Sequence, residues 1–246
     1  MLRIALLPVV AVVAMIAATV GPLYAADRFL ETREPTRAER ARLDALREAA
    51  GLDVEAVAVI DDGGRTPEIA VRGPPGRRVL FVSDEVVGAN RTGGDNSRAR
   101  EDGTVGPGSD GSDENGDGEA ALDEGTIQAL FAAEAARVET HYAEFRAAAV
   151  AAILSILAAI VVRIVPFGDG FTALVAIGIV SLWAGRRIQY AADARAADRV
   201  GADRLADAFE RAAARRGVEP ERGTWRTFLE VQPPLGDRID RLRERE

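Results

Sequence analysis

The sequence predicts an α+β fold, mainly α, that is anchored in a membrane, and three patterns support this prediction. Two uncharged apolar runs, at 147–162 and 171–184, are separated by a turn rich in Pro and Gly. Another apolar run covers residues 4–26. Short runs rich in β-branched residues lie between it and the central pair. We therefore expect a small antiparallel sheet packed on helices, with a helical hairpin inside the membrane.

Composition excludes several classes of function. The chain has 246 residues and no cysteine, so disulfides and thiolate chemistry are excluded. His141 is the only histidine, which rules out a zinc site with several histidines from one chain. The formal net charge of -8 argues against nucleic acid as a partner, because phosphate binding requires clustered cations.

The N-terminal apolar run predicts a transmembrane anchor at residues 1–26. It is long enough to cross a hydrocarbon core of about 30 Å. A cleaved signal peptide is the alternative, because Arg3 precedes the run and small residues such as Ala25 follow it. The length of the run favours the anchor.

The two central runs predict a membrane hairpin at 147–184. Each run is short for a complete crossing, and Arg163 near the turn can extend its charged end to the membrane surface. Arg146 and Arg186 mark the opposite end, where cations favour the cytoplasmic side. We therefore expect a multi-pass protein of the cell membrane with a cytoplasmic polar domain. A hairpin buried in a soluble core is the alternative.

Residues 27–90 predict one helix followed by a small sheet. The segment 36–50 places apolar residues among charges, and Gly51 is a typical C-cap, so this segment predicts a helix. Turn-forming residues separate the β-rich runs that follow, which predicts antiparallel strands. These runs are Val54–Ile60, Glu68–Val71 and Arg78–Val82.

Residues 91–123 form an acidic, Gly-rich stretch with almost no apolar residues, which predicts a disordered loop. Asp113, Asn115, Asp117 and Glu124 fit the spacing of a calcium-binding loop. No helix is predicted before this loop, and acidic linkers match the pattern by chance. We therefore favour a solvated linker and keep the calcium loop as the alternative.

Residues 124–246 predict the helical part, which includes the membrane hairpin. We expect one long helix over 128–163, which runs from the polar domain into the membrane. A second helix over 189–215 leaves the membrane, and a short helix covers 235–245.

The run from Ala129 to Val138 carries a family resemblance. Its central positions read Ala133-Glu134-Ala135-Ala136-Arg137. They resemble the H-E-x-x-H zinc helix of HtpX-like membrane metallopeptidases, the group that includes the CAAX prenyl protease type. The glutamate is kept and both histidines are replaced.

Other segments follow the order of the same family. Residues 68–73 resemble its N-A-x-x-x-G strand. The third family ligand is the glutamate of an R-E-Y-x-A-D type segment, where this chain has Gln189 and keeps Asp193. The family's late segment, which begins T-H-P and ends R-I, is matched at Pro233 and Arg238, with Gln232 in place of its histidine. The resemblance therefore implies that the helices are metallopeptidase-like.

The substitutions imply a site that does not hold the family's zinc. Ala133, Arg137 and Gln189 occupy the vestigial ligand positions, and Glu134 occupies the vestigial general-base position. Two histidines four residues apart on one helix share a zinc ion, but alanine has no lone pair and arginine is a permanent cation. We therefore expect no cofactor. We also expect Arg137 to pair with Glu134 and with Asp193 across the helices.

These observations predict a catalytically inactive pseudopeptidase that acts in binding or regulation. Its expected partners are the lipid bilayer, membrane proteins and an active member of the family. One alternative is an active zinc endopeptidase with an unconventional metal site that uses His141 and nearby carboxylates. The other is an unrelated membrane-anchored interaction protein.

Overall fold

The computed structural model describes residues 32–60, 68–88, 122–223 and 232–245. These residues form a mainly helical structure with a small mixed sheet, in which the helices follow the strands along the chain. The predicted anchor at 1–26 and most of the predicted acidic loop lie outside the described residues.

The sheet differs from the antiparallel arrangement that the sequence predicts. Its strands are β1 (Thr32–Arg33), β2 (Ala56–Ile60), β3 (Ile69–Arg72) and β4 (Val79–Ser83), in the order β1-β2-β4-β3. The β2–β4 pair is parallel and the other two pairs are antiparallel. The reason lies in β4, which is apolar and buried along its length, as is typical of a central strand in a parallel pair.

Helix α1 (Arg37–Ala50) begins and ends where the sequence predicts. Thr36 and Glu39 form a capping box, and Gly51 ends the helix with a φ of 67°. Arg33 of β1 donates hydrogen bonds to Glu39 and to Asp84. Because Asp84 begins the short helix α2 (Asp84–Gly88), Arg33 ties the first strand to both helices.

Helix α3 (Glu124–Glu139) is the centre of the fold and is buried on nearly all sides. One face packs against α1 and the sheet through residues such as Ile127 and Phe131. The opposite face packs through Ala129, Ala133 and Ala136 against later helices. These small side chains allow close helix packing, so α3 joins the two hydrophobic clusters.

The single long helix predicted over 128–163 is wrong, because the chain turns sharply at Thr140 and His141. His141 has a left-handed φ of 53°, and a new helix, α4 (Tyr142–Val161), begins after it. The Thr140 hydroxyl donates to the carbonyl oxygens of Ala136 and Arg137 at 3.0 and 3.1 Å. This hydroxyl satisfies carbonyl groups at the end of α3, which favours termination of the helix there.

Helix α4 pairs with α5 (Phe167–Val200) to form the predicted hairpin. Gly170 permits close contact near the turn, since a Cβ atom there would lie 2.4 Å from Cγ1 of Ile160. The predicted helix over 189–215 is not a single helix. Its first part belongs to α5, which continues out of the hairpin and ends before Gly201, where φ is 92°.

Two further helices complete the described part of the chain. Helix α6 (Ala202–Arg215) follows Gly201, and helix α7 (Leu235–Arg243) matches the predicted last helix. Both pack against α5, and α6 also packs against α3.

The hairpin leaves its apolar side chains exposed. Eight of the nine exposed large hydrophobic residues among the described positions lie between 161 and 183. Helices α4 and α5 are each long and apolar enough to cross a membrane, and little of either apolar stretch is buried. A hairpin buried in a soluble core, the alternative from the sequence, would hide these residues. The exposed surface fits a membrane-associated hairpin.

The environment of Glu39 predicts acid-sensitive stability. Hydrogen bonding from Arg33 lowers the pKa of Glu39 from 4.5 to about 2. The stabilisation is therefore complete above the ordinary pKa of 4.5 and is lost as the pH falls toward about 2. We expect Glu39→Gln to lower the unfolding free energy by on the order of 2 kcal/mol at neutral pH, measured by urea unfolding in detergent micelles.

The exposed Glu48 on the same helix provides the control. In the Glu48→Gln variant, the unfolding free energy should depend on pH in the same way as in the wild type. If the unfolding free energies of the wild type and Glu39→Gln fell by the same amount on acidification, the role of the Arg33–Glu39 pair would be contradicted.

Candidate functional site

Glu134, which the sequence analysis predicts to be a vestigial general base, lies on α3 and faces the edge strand β3. Glu134 is 8% exposed, and both of its carboxylate oxygens accept hydrogen bonds. The backbone N–H of Val71 donates to Oε1 at 2.9 Å. Nη1 of Arg137 donates to Oε2 at 3.0 Å, which confirms the predicted Glu134–Arg137 pair. The carboxylate is therefore held by a strand on one side and a cation on the other.

The contact with Val71 also shows which way the edge of the sheet faces. Among the described strands, β3 has only β4 beside it, so the N–H of Val71 points away from the sheet toward α3. Backbone groups two residues apart along a strand face the same edge, so the N–H of Ile69 also faces outward.

The two vestigial histidine positions offer no metal ligand. Ala133 is 4% exposed and packs in the cluster between α3 and α5. The Arg137 guanidinium lies against Glu134, and its buried Nε has no hydrogen-bond partner among the described residues. A permanent cation at this place opposes binding of a divalent metal ion.

Gln189 on α5 is fully buried, and its contacts lead away from Arg137. Its Nε2 donates to Oδ1 of Asp193 at 3.1 Å, while its Oε1 has no hydrogen-bond partner in the described part of the chain. Arg238 of α7 binds Asp193 through two hydrogen bonds of 2.7 Å, and its guanidinium lies 4.4 Å from the ring centroid of Phe209. The predicted Arg137–Asp193 pair is therefore wrong, because Arg238 takes both oxygens of Asp193.

Two small cavities meet at Glu134 and Arg137. The first, of about 220 Å³, is also lined by Ile69, Ala133 and Arg238. The second, of about 160 Å³, lies on the side of Val71 and Gly73 and reaches Tyr142 and Gln232. The structure thus brings Ala133, Glu134 and Arg137 together. Gln189 lines neither cavity and connects to the first only through Asp193 and Arg238.

Arg238 is the site residue whose role the sequence analysis did not predict. Arg238 and Asp193 both match positions of the family motifs, so the signal was present. Their partnership was hidden because 45 residues separate them and they belong to different helices. No pattern in the sequence indicated that the ring of Phe209 would stack on Arg238.

The donors present do not fit a zinc ion. No group of three or more His, Cys, Asp or Glu side chains that could hold a metal occurs in the described ranges of the chain. His141 is exposed at the break between α3 and α4, and its Nδ1 lies 3.0 Å from the carbonyl oxygen of Glu139. Because the helix breaks there, His141 does not share a helix face with Glu134, as a single long helix would require.

Most of the possible calcium loop lies outside the described residues, including Asp113, Asn115 and Asp117. Glu124 is described and begins α3, where its carboxylate pairs with Arg42. The neighbouring Asp123 caps the same helix, and hydrogen bonding from the Thr126 hydroxyl lowers the pKa of its carboxyl.

Comparison with known proteins leaves the family resemblance as a prediction. The chain matches no model of a known protein family, and no curated protein matches it. The resemblance therefore rests on the order of the motifs in the sequence.

The buried Asp193–Arg238 pair predicts a large loss of stability when one partner is removed. Both side chains are less than one-tenth exposed, so Asp193→Asn would leave the Arg238 guanidinium without a compensating charge. We expect this variant to lose about 3–5 kcal/mol of unfolding free energy, measured by denaturant unfolding in micelles.

A double variant and a surface control separate the effect of an unpaired buried charge from the loss of an ordinary ion pair. Asp193→Leu combined with Arg238→Met should recover most of the loss, because no buried charge remains. Asp198→Asn, which removes an exposed partner of Arg245, should cost less than about 1 kcal/mol. Equal effects of Asp193→Asn and Asp198→Asn would contradict the importance of the buried pair.

Proposed function

We propose that this chain is a membrane-bound, metallopeptidase-like protein that binds segments of other membrane proteins without cleaving them. The observation that supports this proposal is the state of Glu134. Val71 and Arg137 donate hydrogen bonds to its two carboxylate oxygens. In the family that this chain resembles, the general base occupies the corresponding position.

The chemistry of peptide hydrolysis explains why this arrangement favours inactivity. A zinc ion lowers the pKa of its bound water to about 7, and a nearby glutamate then accepts the proton. Here Arg137 takes the place of a ligand, and its guanidinium, rather than a metal-bound water, contacts Oε2 of Glu134. Without a metal-activated water, this carboxylate has little catalytic use.

The same geometry supports binding of an extended segment. The outer edge of β3 carries an outward N–H at Ile69, and exposed edges can pair with an added strand. The two cavities lie next to Ile69 and Val71 and can accept side chains of such a segment. The backbone supplies affinity in this mode, and the cavities supply selectivity.

The hairpin supports the membrane part of the proposal. Its exposed apolar side chains fit contact with lipid or with another apolar helix. Both of its ends join the polar domain, with Arg146 and Arg186 near that end and Arg163 near the turn. By the positive-inside rule, the excess of cations at the domain end supports a cytoplasmic location for this domain. The partners are then the lipid bilayer and membrane proteins, which include an active relative.

Metal content tests the absence of zinc chemistry. We expect the full chain, purified in detergent and dialysed against dilute zinc, to contain far less than one zinc per chain by elemental mass spectrometry. The triple variant Ala133→His, Arg137→His and Gln189→Glu should retain about one zinc per chain, because it restores the tetrahedral ligand set.

The double variant Ala133→His and Arg137→His is the matched control, and it should bind zinc more weakly than the triple variant. About one tightly held zinc in the wild type would overturn the pseudopeptidase assignment. A triple variant that is folded by circular dichroism but remains free of zinc would contradict the assigned ligand positions.

Binding at the edge of β3 is tested by removing one N–H. Ile69→Pro removes the outward donor and leaves the hydrogen bonds between β3 and β4 in place. We expect this variant to bind a short fluorescent apolar peptide about tenfold more weakly, which corresponds to a loss of about 1.4 kcal/mol, measured by fluorescence anisotropy.

Ile69→Val is the control, because it keeps the N–H and the β-branched shape. A version of the peptide with methylated backbone nitrogens should also bind weakly to the wild type. Unchanged affinity of Ile69→Pro would show that the peptide does not pair with this edge.

A further inference from the structure

A third cavity, separate from Glu134, lies between α5 and α7 and has a volume of about 640 Å³. Its walls are rich in arginine. The arginines that line it are Arg186, Arg187, Arg238, Arg241 and Arg245. In the described part of the chain, Asp193 is the one carboxylate in its lining.

The charge of this cavity is strongly positive. Arg238 is neutralised by Asp193 at its wall, and Arg245 lies 3.5 Å from the exposed Asp198. Arg187 and Arg241, which also line the cavity, add to its positive potential. Every basic residue of the chain is arginine, whose planar group can bind two phosphate oxygens at once. A phosphate group therefore matches the chemistry of this cavity.

Two aromatic rings hold arginines of the cavity in place. The guanidinium of Arg187 lies 5.6 Å from the ring centroid of Trp183, and that of Arg241 lies 4.6 Å from the ring centroid of Tyr190. Such stacking restricts long side chains before a ligand arrives, so less conformational entropy is lost on binding.

The position of the cavity along α5 matches the surface of a membrane. The apolar stretch of α5 ends at Ala184, and the arginine pair of the cavity wall follows directly. Trp183 is 64% exposed, and tryptophan is enriched where lipid headgroups meet the hydrocarbon core. The cavity thus lies at the headgroup level when the hairpin is in a bilayer.

The surface below the cavity is apolar. Ile179 and Val180 precede Trp183 by one helical turn, and both are about 60% exposed. A ligand with its phosphate among the arginines would therefore have an apolar surface beside its other end. This combination fits an amphiphile better than a free phosphate ion.

We propose that this cavity binds the phosphate headgroup of an anionic phospholipid from the leaflet that faces the polar domain. The acyl chains then lie along the exposed apolar side of α5. This proposal rests on the membrane placement in the proposed function, but not on the absence of zinc. An occupied cavity would fix α7 and the Asp193–Arg238 pair relative to the membrane surface.

The test uses the full chain in detergent and measures lipid retention by native mass spectrometry. The wild type should retain phosphatidylglycerol at least about tenfold better than phosphatidylcholine. Arg187→Gln combined with Arg241→Gln should lose this preference, since two of the cations that would contact the phosphate are removed. Phosphatidylglycerol should also raise the melting temperature of the wild type and not that of the double variant.

The matched control is Arg40→Gln combined with Arg204→Gln, which removes the same charge outside the cavity and should behave like the wild type. If the glutamine variant is unfolded by circular dichroism, Arg187→Lys combined with Arg241→Lys takes its place. The lysine variant keeps the charge but loses the two-point contact, so its preference should still fall.

Three outcomes would overturn the proposal. They are equal retention of the two lipids, equal losses in the cavity and control variants, and an equal thermal shift with soluble glycerol phosphate. The last outcome would identify a site for free phosphate. Incorporation into pure phosphatidylcholine vesicles tests the hairpin separately, and zinc content tests the pseudopeptidase assignment separately.

Discussion

The structure depends on a central helix that is buried on both faces while it carries a carboxylate. Helix α3 can join the sheet to the later helices because alanines such as Ala129, Ala133 and Ala136 let its neighbours approach closely. Glu134 is the charged residue among the buried positions of this helix, and a buried carboxylate without partners would be costly. The N–H of Val71 and the guanidinium of Arg137 remove that cost. The same two contacts tie β3 to α3 and make the carboxylate part of the scaffold.

The parts of the fold that local chemistry determines were predictable from the sequence. Helix α1 begins at the Thr36 cap and ends at Gly51, and each signal acts within one helical turn. The parallel pairing of β2 with β4 was not predictable, because strand order depends on burial across the whole sheet. The break at Thr140 was also missed, since apolar periodicity continues through it and only the hydroxyl contacts explain the end of α3.

The candidate site shows the same division. The Glu134–Arg137 pair is a contact between residues three apart on one helix, so spacing alone predicts it. The sequence offers several arginines as partners for Asp193, and it does not show which of them lies close to this carboxylate in the folded chain. The packing of α7 against α5 and the ring of Phe209 place Arg238 there instead. Roles that depend on two distant helices therefore required the structure.

The charges around the site form a balanced set without a metal ion. Glu134 is neutralised by Arg137, and Asp193 is neutralised by Arg238. Gln189 fits this balance because its amide donates to Asp193 at 3.1 Å. An ionised glutamate at position 189 would instead place a second negative charge at this distance, and a nearby cation would be needed to offset the repulsion. With a neutral amide at 189 and a cation at 137, each of the two carboxylates is therefore balanced by one arginine.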